Sequence, residues 1–404
     1  MRKIFLIILS LYLLYVHVIP EVFHLASGYS RLYSWDITPD LHYYTMIADL
    51  VFIFIVLTVQ FIVSPKKIKI ANGILPDSYR RALIYVFFTF LMLGLLAYIS
   101  DLFFGGPRGY GGLDKLDANT TEQQSLSSWL GFVGLPAKFS AVAFLVFRKD
   151  MILAMGKHFA YFAALASLCM AILVVMNSIS SGVRHEVVWF SAIYLVVLLC
   201  HRRSLQLKKY FKFAGLFLVF IYIGSYMGAS YRMELTENKN LSFAQKVDTL
   251  SSVMSDSSED LAFAAQLYFQ FSDRLTDLDT SAALMKFYDT RGPVYLMPSF
   301  SAAVSFIPRF LWKSKPAPGS YDGSHNGLAG FVVWNVLTGS PFTNWGGYTA
   351  SSHHYWEGGW PYLVIWALIF GFVSSVVFAK VSRRSGINQL GYLYVGVVLL
   401  GFYK

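Results

Sequence analysis

The stretch YWEGGWPYLVIWALIFG, residues 355–371, passes from a carboxylate and a pair of glycines into an apolar run that continues to residue 379. A run of this length can cross a hydrocarbon core of roughly 30 Å as a helix. The whole 404-residue chain has the same character, because 56% of its residues are hydrophobic and only 14% are charged. We therefore interpret the chain as an all-α membrane protein.

Apolar runs of similar character recur along the chain and predict a polytopic membrane helix bundle of about nine or more spans. The predicted spans are 4–19, 43–63, 80–99, 129–147, 158–176, 187–200, 210–228, 361–379 and 390–403. Clusters of lysine and arginine follow every second span, which places the N terminus in the cytoplasm. This bias also explains the net charge of +10, so we expect no nucleic acid as a partner.

The alternation of the loops leaves residues 229–360 as one long loop on the non-cytoplasmic face. This topology predicts that the chain has three parts: an N-terminal bundle of about seven spans in 1–228, the large loop in 229–360, and C-terminal spans in 361–404. Three apolar runs in the loop, 261–271, 294–307 and 328–337, are too short to span. They predict interfacial or re-entrant helices.

Charged and histidine side chains cluster in this loop, most densely in FIPRFLWKSKP, residues 306–316. Cations on this face oppose the positive-inside bias, so we expect them to meet an acidic partner or an anionic ligand; contact with lipid headgroups is the alternative. The candidate site residues in the loop are Arg274, Arg291, Arg309, Trp312, Lys315, His325, His353, His354 and Glu357.

A second candidate stretch is the turn NSISSGVRHEVVWF, residues 177–190, between two predicted spans. Arg184 is predicted near the start of a helix, where backbone donors favour an anion. An ion pair between Arg184 and Glu186 is the alternative interpretation.

Together these two stretches resemble a family, the bacterial oligosaccharide repeat unit polymerases, which are the Wzy-type O-antigen polymerases. The resemblance is carried by Ser181, Gly182 and Arg184 in the turn and by Ile307, Pro308, Arg309, Trp312, Lys315 and Pro316 in the loop. It implies a fold similar to O-antigen ligases and GT-C glycosyltransferases. It also implies a multi-pass protein of the bacterial inner membrane with an active site facing the periplasm.

The activity implied is transfer of a growing glycan from undecaprenyl diphosphate onto a single carrier-linked repeat unit. The expected partners are these lipid-linked units as donor and acceptor, membrane lipids and a chain-length regulator; no cofactor and no metal are expected. The leaving diphosphate gains negative charge, which suits Arg184 and Arg309, with Arg274, Arg291 and Lys315 as further cations and Trp312 holding the loop element.

A sugar hydroxyl is a poor nucleophile at neutral pH, so a positioned base is also expected. The candidates are His353, His354 and Glu357, with His325 and Glu186 as others.

Three alternatives remain open. An O-antigen ligase would share the fold and the donor. A GT-C enzyme using polyprenyl phosphate sugars would often have acidic residues in its first external loop, as metal ligands or as a base, and Asp36 and Asp40 are weak candidates for them. A lipid-linked sugar transporter would place ionisable residues inside the spans, where the sequence shows few.

Overall fold

A computed structural model describes residues 39–63, 76–104, 121–181, 185–201, 243–256, 281–290, 292–293, 295, 349–383 and 386–401. Over these ranges the chain is helical and contains no strand. The predicted all-α class is therefore confirmed for this part of the chain.

The helices are α1 Pro39–Ile62, α2 Asp77–Phe104, α3 Thr121–Val146, α4 Arg148–Met155, α5 Lys157–Ser181, α6 His185–His201, α7 Phe243–Asp256, α8 Ala350–Arg383 and α9 Leu390–Gly401. A 3-10 turn, Gly386–Gln389, precedes α9, and residues 281–290 are also helical. Apolar residues at Phe243, Val247, Leu250 and Met254 recur with helical spacing, which makes α7 an amphipathic helix of the predicted loop.

Among the described residues, four helical stretches are long and apolar enough to cross a membrane: Asp40–Ile62, Asp77–Ser100, Lys157–Ser180 and Ser351–Val381. They match the predicted spans 43–63, 80–99, 158–176 and 361–379, and the chain is accordingly a helical membrane protein. The predicted spans 129–147, 187–200 and 390–403 correspond to the helices α3, α6 and α9. The predicted spans 4–19 and 210–228 lie outside the described residues, so the count of nine stays a prediction.

The candidate bases His353, His354 and Glu357 lie within a helix rather than in a loop. The helix α8 begins at Ala350, so residues 350–357, which were predicted at the end of the loop, form its first turns. The predicted interfacial runs 261–271 and 328–337, and nearly all of 294–307, lie outside the described residues.

The described residues fall into two compact units. The first contains α1, the segment 281–290 and α8 as far as Lys380; the second contains the helices α2 to α7 and residues 381–397.

The core of the first unit is formed by small and apolar residues spaced one turn apart. Ala48, Phe52 and Val56 lie on one face of α1, and they pack with Leu363 and Ala367 of α8. The same faces continue to Gln60, whose Nε2 donates a 2.8 Å hydrogen bond to the Ser374 hydroxyl. Small residues let two helix backbones approach closely, which is how helices associate in lipid.

In the second unit, α2 packs against α3 and α5, and α3 also packs against α6. The rings of Phe87, Phe139 and Tyr394 meet at centroid distances of 5.3 to 5.8 Å. These contacts join α2, α3 and α9.

Gly371 lies where α1 and α8 approach each other closely. A Cβ atom there would lie 2.9 Å from the Cβ of Val59 and 3.1 Å from the carbonyl oxygen of Val56. Because that carbonyl belongs to a helix backbone, it cannot turn away as a side chain would. We expect Gly371→Ala to destabilise the protein by about 1–3 kcal/mol through overpacking, measured as a lower melting temperature in detergent.

Gly391→Ala is the matched control. It lies in a helix, and a Cβ atom there would have no neighbour within 4 Å among the described residues. Alanine favours helix over glycine, so this variant should melt at the same temperature or slightly higher. Equal melting temperatures for the two variants would contradict the tight α1–α8 contact.

Candidate functional site

The start of α8 is fixed by a set of buried hydroxyl groups. Thr349 is the cap residue, and its hydroxyl accepts a 3.3 Å hydrogen bond from the backbone N–H of Ser352. The Thr349 backbone N–H donates to the Ser281 hydroxyl at 2.9 Å. The Ser351 hydroxyl donates to the carboxylate of Asp49, a residue that is buried in α1. The first turn of α8 is thereby tied to α1 and to the segment 281–290.

Two histidines and a glutamate follow within the next turns of α8. His353 and His354 lie four and three residues before Glu357, so all three share one side of the helix. His354 Nδ1 lies 3.1 Å from Glu357 Oε2, and His353 Nε2 lies 3.7 Å from Glu357 Oε1. The Glu357 side chain is fully buried, whereas that of His354 is 17% exposed.

The imidazole of His354 is held between two aromatic rings. The Trp366 ring stacks on it with a centroid distance of 4.8 Å and an interplanar angle of 15°. The Phe52 ring has a centroid distance of 6.2 Å and an interplanar angle of 16°. In the tautomer that donates from Nδ1 to this carboxylate, Nε2 is left as the acceptor. This pairing gives the arrangement of a general base oriented by a carboxylate.

The helix is interrupted directly after Glu357. Gly358 and Gly359 have non-helical backbone angles, and the φ of +69° at Gly359 favours glycine. A Cβ atom at Gly359 would also lie 2.6 Å from the hydroxyl oxygen of Tyr288. Pro361 has no N–H to donate to the Glu357 carbonyl. Interrupted helices of this kind occur in membrane proteins where the backbone lines a cavity or a site.

Aromatic side chains with polar tips surround the interruption. Trp360 Nε1 donates a 2.6 Å hydrogen bond to the Tyr44 hydroxyl, which lies 3.3 Å from the Tyr355 hydroxyl. Tyr355 in turn donates to Asp289 at 3.2 Å. Such side chains suit a sugar, because they offer flat apolar faces and hydrogen-bonding groups together.

The cluster also has the donor set of a metal site. The ligand atoms of His353, His354 and Glu357 all lie within 4.8 Å of one another. Ligand atoms on one tetrahedral Zn²⁺ lie about 3.3–3.4 Å apart, given bond lengths of about 2.0–2.1 Å. The three side chains would therefore have to move closer together before they could hold zinc with one position open. The expectation that no metal is needed stays a prediction.

The structure brings together three of the predicted site residues, His353, His354 and Glu357. The others lie outside the described residues: Arg184, Arg274, Arg291, Arg309, Trp312, Lys315 and His325.

A second polar cluster lies in the second unit and includes Glu186, which follows Arg184 by two residues in the sequence. Glu186, in the first turn of α6, forms an ion pair with Lys138 of α3 and accepts a hydrogen bond from the Tyr98 hydroxyl. The Lys138 side chain is 7% exposed. The structure thus gives Glu186 a cation other than the Arg184 that the sequence analysis considered.

Lys246 of α7 contacts the C-terminal end of α5 at Ser180, which precedes Glu186 by six residues in the sequence. Its ammonium donates to the carbonyl and the hydroxyl oxygen of Ser180, at 3.0 and 3.2 Å. A cation is favourable at the C-terminal end of a helix. Partial burial lowers the pKa of Lys246, and these contacts attach the amphipathic helix α7 to the second unit.

The sequence analysis did not select Asp49, Lys138 or Tyr98. The available signal was an ionisable residue inside an apolar run, which is rare in membrane helices and marks function or a buried pair.

Comparison of the chain with protein-family models, with curated proteins and with solved structures gives no match in any of the three.

We expect the Lys138–Glu186 pair to be tightly coupled. Removal of one partner from a buried pair costs about 3–5 kcal/mol, because it leaves a charge in apolar surroundings. Lys138→Met and Glu186→Gln should each lower the melting temperature strongly, and the double variant should regain much of the loss. A double-mutant cycle on melting in detergent measures this. A double variant as unstable as the sum of both changes would contradict the pairing.

Proposed function

We propose that the protein is a membrane glycosyltransferase that polymerises undecaprenyl-diphosphate-linked oligosaccharide repeat units. It transfers the growing glycan onto a new lipid-linked unit at the periplasmic face of the inner membrane and releases undecaprenyl diphosphate. The observation that carries the proposal is the pairing of His354 with the buried Glu357 at an interruption of a spanning helix. The motif resemblance around Arg184 and Arg309 supplies the substrate class.

In this mechanism His354 Nε2 accepts the proton of the acceptor sugar hydroxyl. The hydroxyl oxygen forms a bond to the anomeric carbon of the donor glycan, and the bond from that carbon to the diphosphate oxygen breaks. The electron pair leaves with undecaprenyl diphosphate, and the guanidinium groups of Arg184 and Arg309 stabilise its charge. Glu357 stabilises the imidazolium that forms.

The first test is glycan synthesis by the purified protein in nanodiscs. The substrate is the organism's own undecaprenyl-diphosphate-linked repeat unit, isolated from cells that lack this gene, and gels resolve the products. The native protein should produce a ladder of glycans. His354→Gln should lower the rate by about 10²–10⁴, the range for loss of a general base. Arg184→Ala and Arg309→Ala should also abolish the ladder.

His353→Gln is the matched control, because His353 is the neighbouring residue of the same cluster and lies farther from Glu357. A much smaller loss is expected for it than for His354→Gln. A ladder unaffected by His354→Gln would refute the assignment of the base, and no ladder from folded native protein would refute the polymerase.

Chelation separates the general base from a metal-activated hydroxyl. If His354 acts as the base, synthesis should be unchanged after dialysis against EDTA. Loss of activity in EDTA, restored by Zn²⁺ and accompanied by equal losses in His353→Gln and His354→Gln, would instead assign all three residues of the cluster to a metal.

Transport of a lipid-linked sugar is the second candidate, and one observation favours it. Asp49 is buried within a spanning helix, and the ion pair between Lys138 and Glu186 is also largely buried. Ionisable residues at such positions are common on transport pathways. Translocation of the labelled lipid-linked unit across proteoliposomes without elongation would support transport over polymerisation.

A further inference from the structure

A cavity of about 440 Å³ lies in the second unit, where the start of α2, the short helix α4 and the 3-10 turn Gly386–Gln389 meet. This volume is in the range of small-molecule pockets, roughly 300–1,000 Å³. None of the residues that line it belongs to the histidine cluster or to the Lys138–Glu186 pair. It is therefore a separate site.

The cavity lies at the end of a spanning helix. The apolar stretch Asp77–Ser100 begins at the cavity, and Arg80 and Arg81 are in its first turns. In the sequence, α4 lies between the helices α3 and α5, and the 3-10 turn lies between α8 and α9, so both are next to helix ends. Helix ends of membrane proteins lie at the level of the lipid headgroups, where arginine meets phosphate.

The charges of the described residues that line the cavity sum to zero. Arg80 Nη2 lies 2.8 Å from Asp77 Oδ1, Arg81 follows in the chain, and the Asp150 carboxylate faces Gly386. Guanidinium groups bind phosphate oxygens in a bidentate manner. A ligand that carries one phosphate charge and one ammonium charge keeps the balance, whereas a purely anionic ligand does not.

A buried acceptor in the lining calls for a hydrogen-bond donor. The Oδ1 atom of Asn388 is buried and makes no hydrogen bond among the residues that the structure describes. Buried carbonyl oxygens are nearly always satisfied, so a ligand with N–H groups is favoured at this position. Leu153, which is exposed at the same cavity, offers apolar surface for an acyl chain.

We propose that this cavity binds a phosphate ester with an adjacent primary ammonium group, as in the ethanolamine headgroup of a membrane phospholipid. The phosphate lies against Arg80 and Arg81. The ammonium group donates to Asn388 Oδ1 and faces Asp150. A soluble phosphoethanolamine would offer the same polar groups without the acyl chains that contact Leu153.

Native mass spectrometry of the full-length protein in detergent tests this proposal. The protein is titrated with dioctanoyl-phosphatidylethanolamine, the matching phosphatidylcholine and phosphatidylglycerol, and soluble phosphoethanolamine. Ethanolamine lipid should bind most tightly, because choline has no N–H and glycerol adds no positive charge. Equal binding of soluble phosphoethanolamine would keep the site and assign it to a soluble ligand.

Substitutions of single residues test whether the lipid binds in this cavity. Arg81→Gln should weaken the ethanolamine lipid about tenfold, as expected for loss of one charge-assisted contact. Asn388→Leu should remove the preference for ethanolamine over choline. Lys149→Gln is the matched control, since Lys149 is exposed on α4 beside Asp150 and does not line the cavity.

Binding without headgroup preference would overturn the proposal, as would equal weakening by Arg81→Gln and Lys149→Gln. The melting temperature of each variant shows whether it is folded. Because no glycan enters the measurement, its failure is independent of any failure of the proposed polymerase.

Discussion

A carboxylate in apolar surroundings is costly unless hydrogen bonds or a cation balance it. Within the part of the chain that the structure describes, three carboxylates are buried or largely buried, and each has such a partner: Glu357 has His354, Asp49 has the Ser351 hydroxyl, and Glu186 has Lys138. Each contact supplies a hydrogen bond or a cation to a carboxylate that would otherwise be costly to bury in a membrane. The positions of α1, α3, α6 and α8 are therefore restricted by chemistry as well as by packing.

The interruption of α8 separates two kinds of structure within one helix. Before it, the Ser351 hydroxyl donates to α1 and the Thr349 N–H donates to the segment 281–290, while imidazole and carboxylate groups contact each other within α8. After it, Leu363, Ala367 and Gly371 form an apolar, closely packed face against α1. Gly359 and Pro361 allow this change, because one tolerates a positive φ and the other lacks the donor that would continue the ladder. Reactive groups can thus lie at the end of a stable span.

Local patterns in the sequence predicted the spans of α1, α2, α5 and α8 and the grouping of His353, His354 and Glu357, because both depend on residues close in the chain. The contacts of Asp49 with Ser351 and of Lys138 with Glu186 could not be predicted in the same way. They depend on which helices pack together and on helical rotation, which apolar runs alone do not define. The sequence analysis treated the spans as almost free of ionisable groups, and so gave these residues no role.

The stacking of His354 between Phe52 and Trp366 has an entropic consequence. An imidazole on the surface populates several rotamers, and a reaction that needs one of them loses that freedom when the substrate binds. Here two flat rings and a carboxylate already restrict the ring during folding. The direction of Nε2 is thus set before any substrate arrives, and little side-chain reorganisation remains for the proton transfer that we propose.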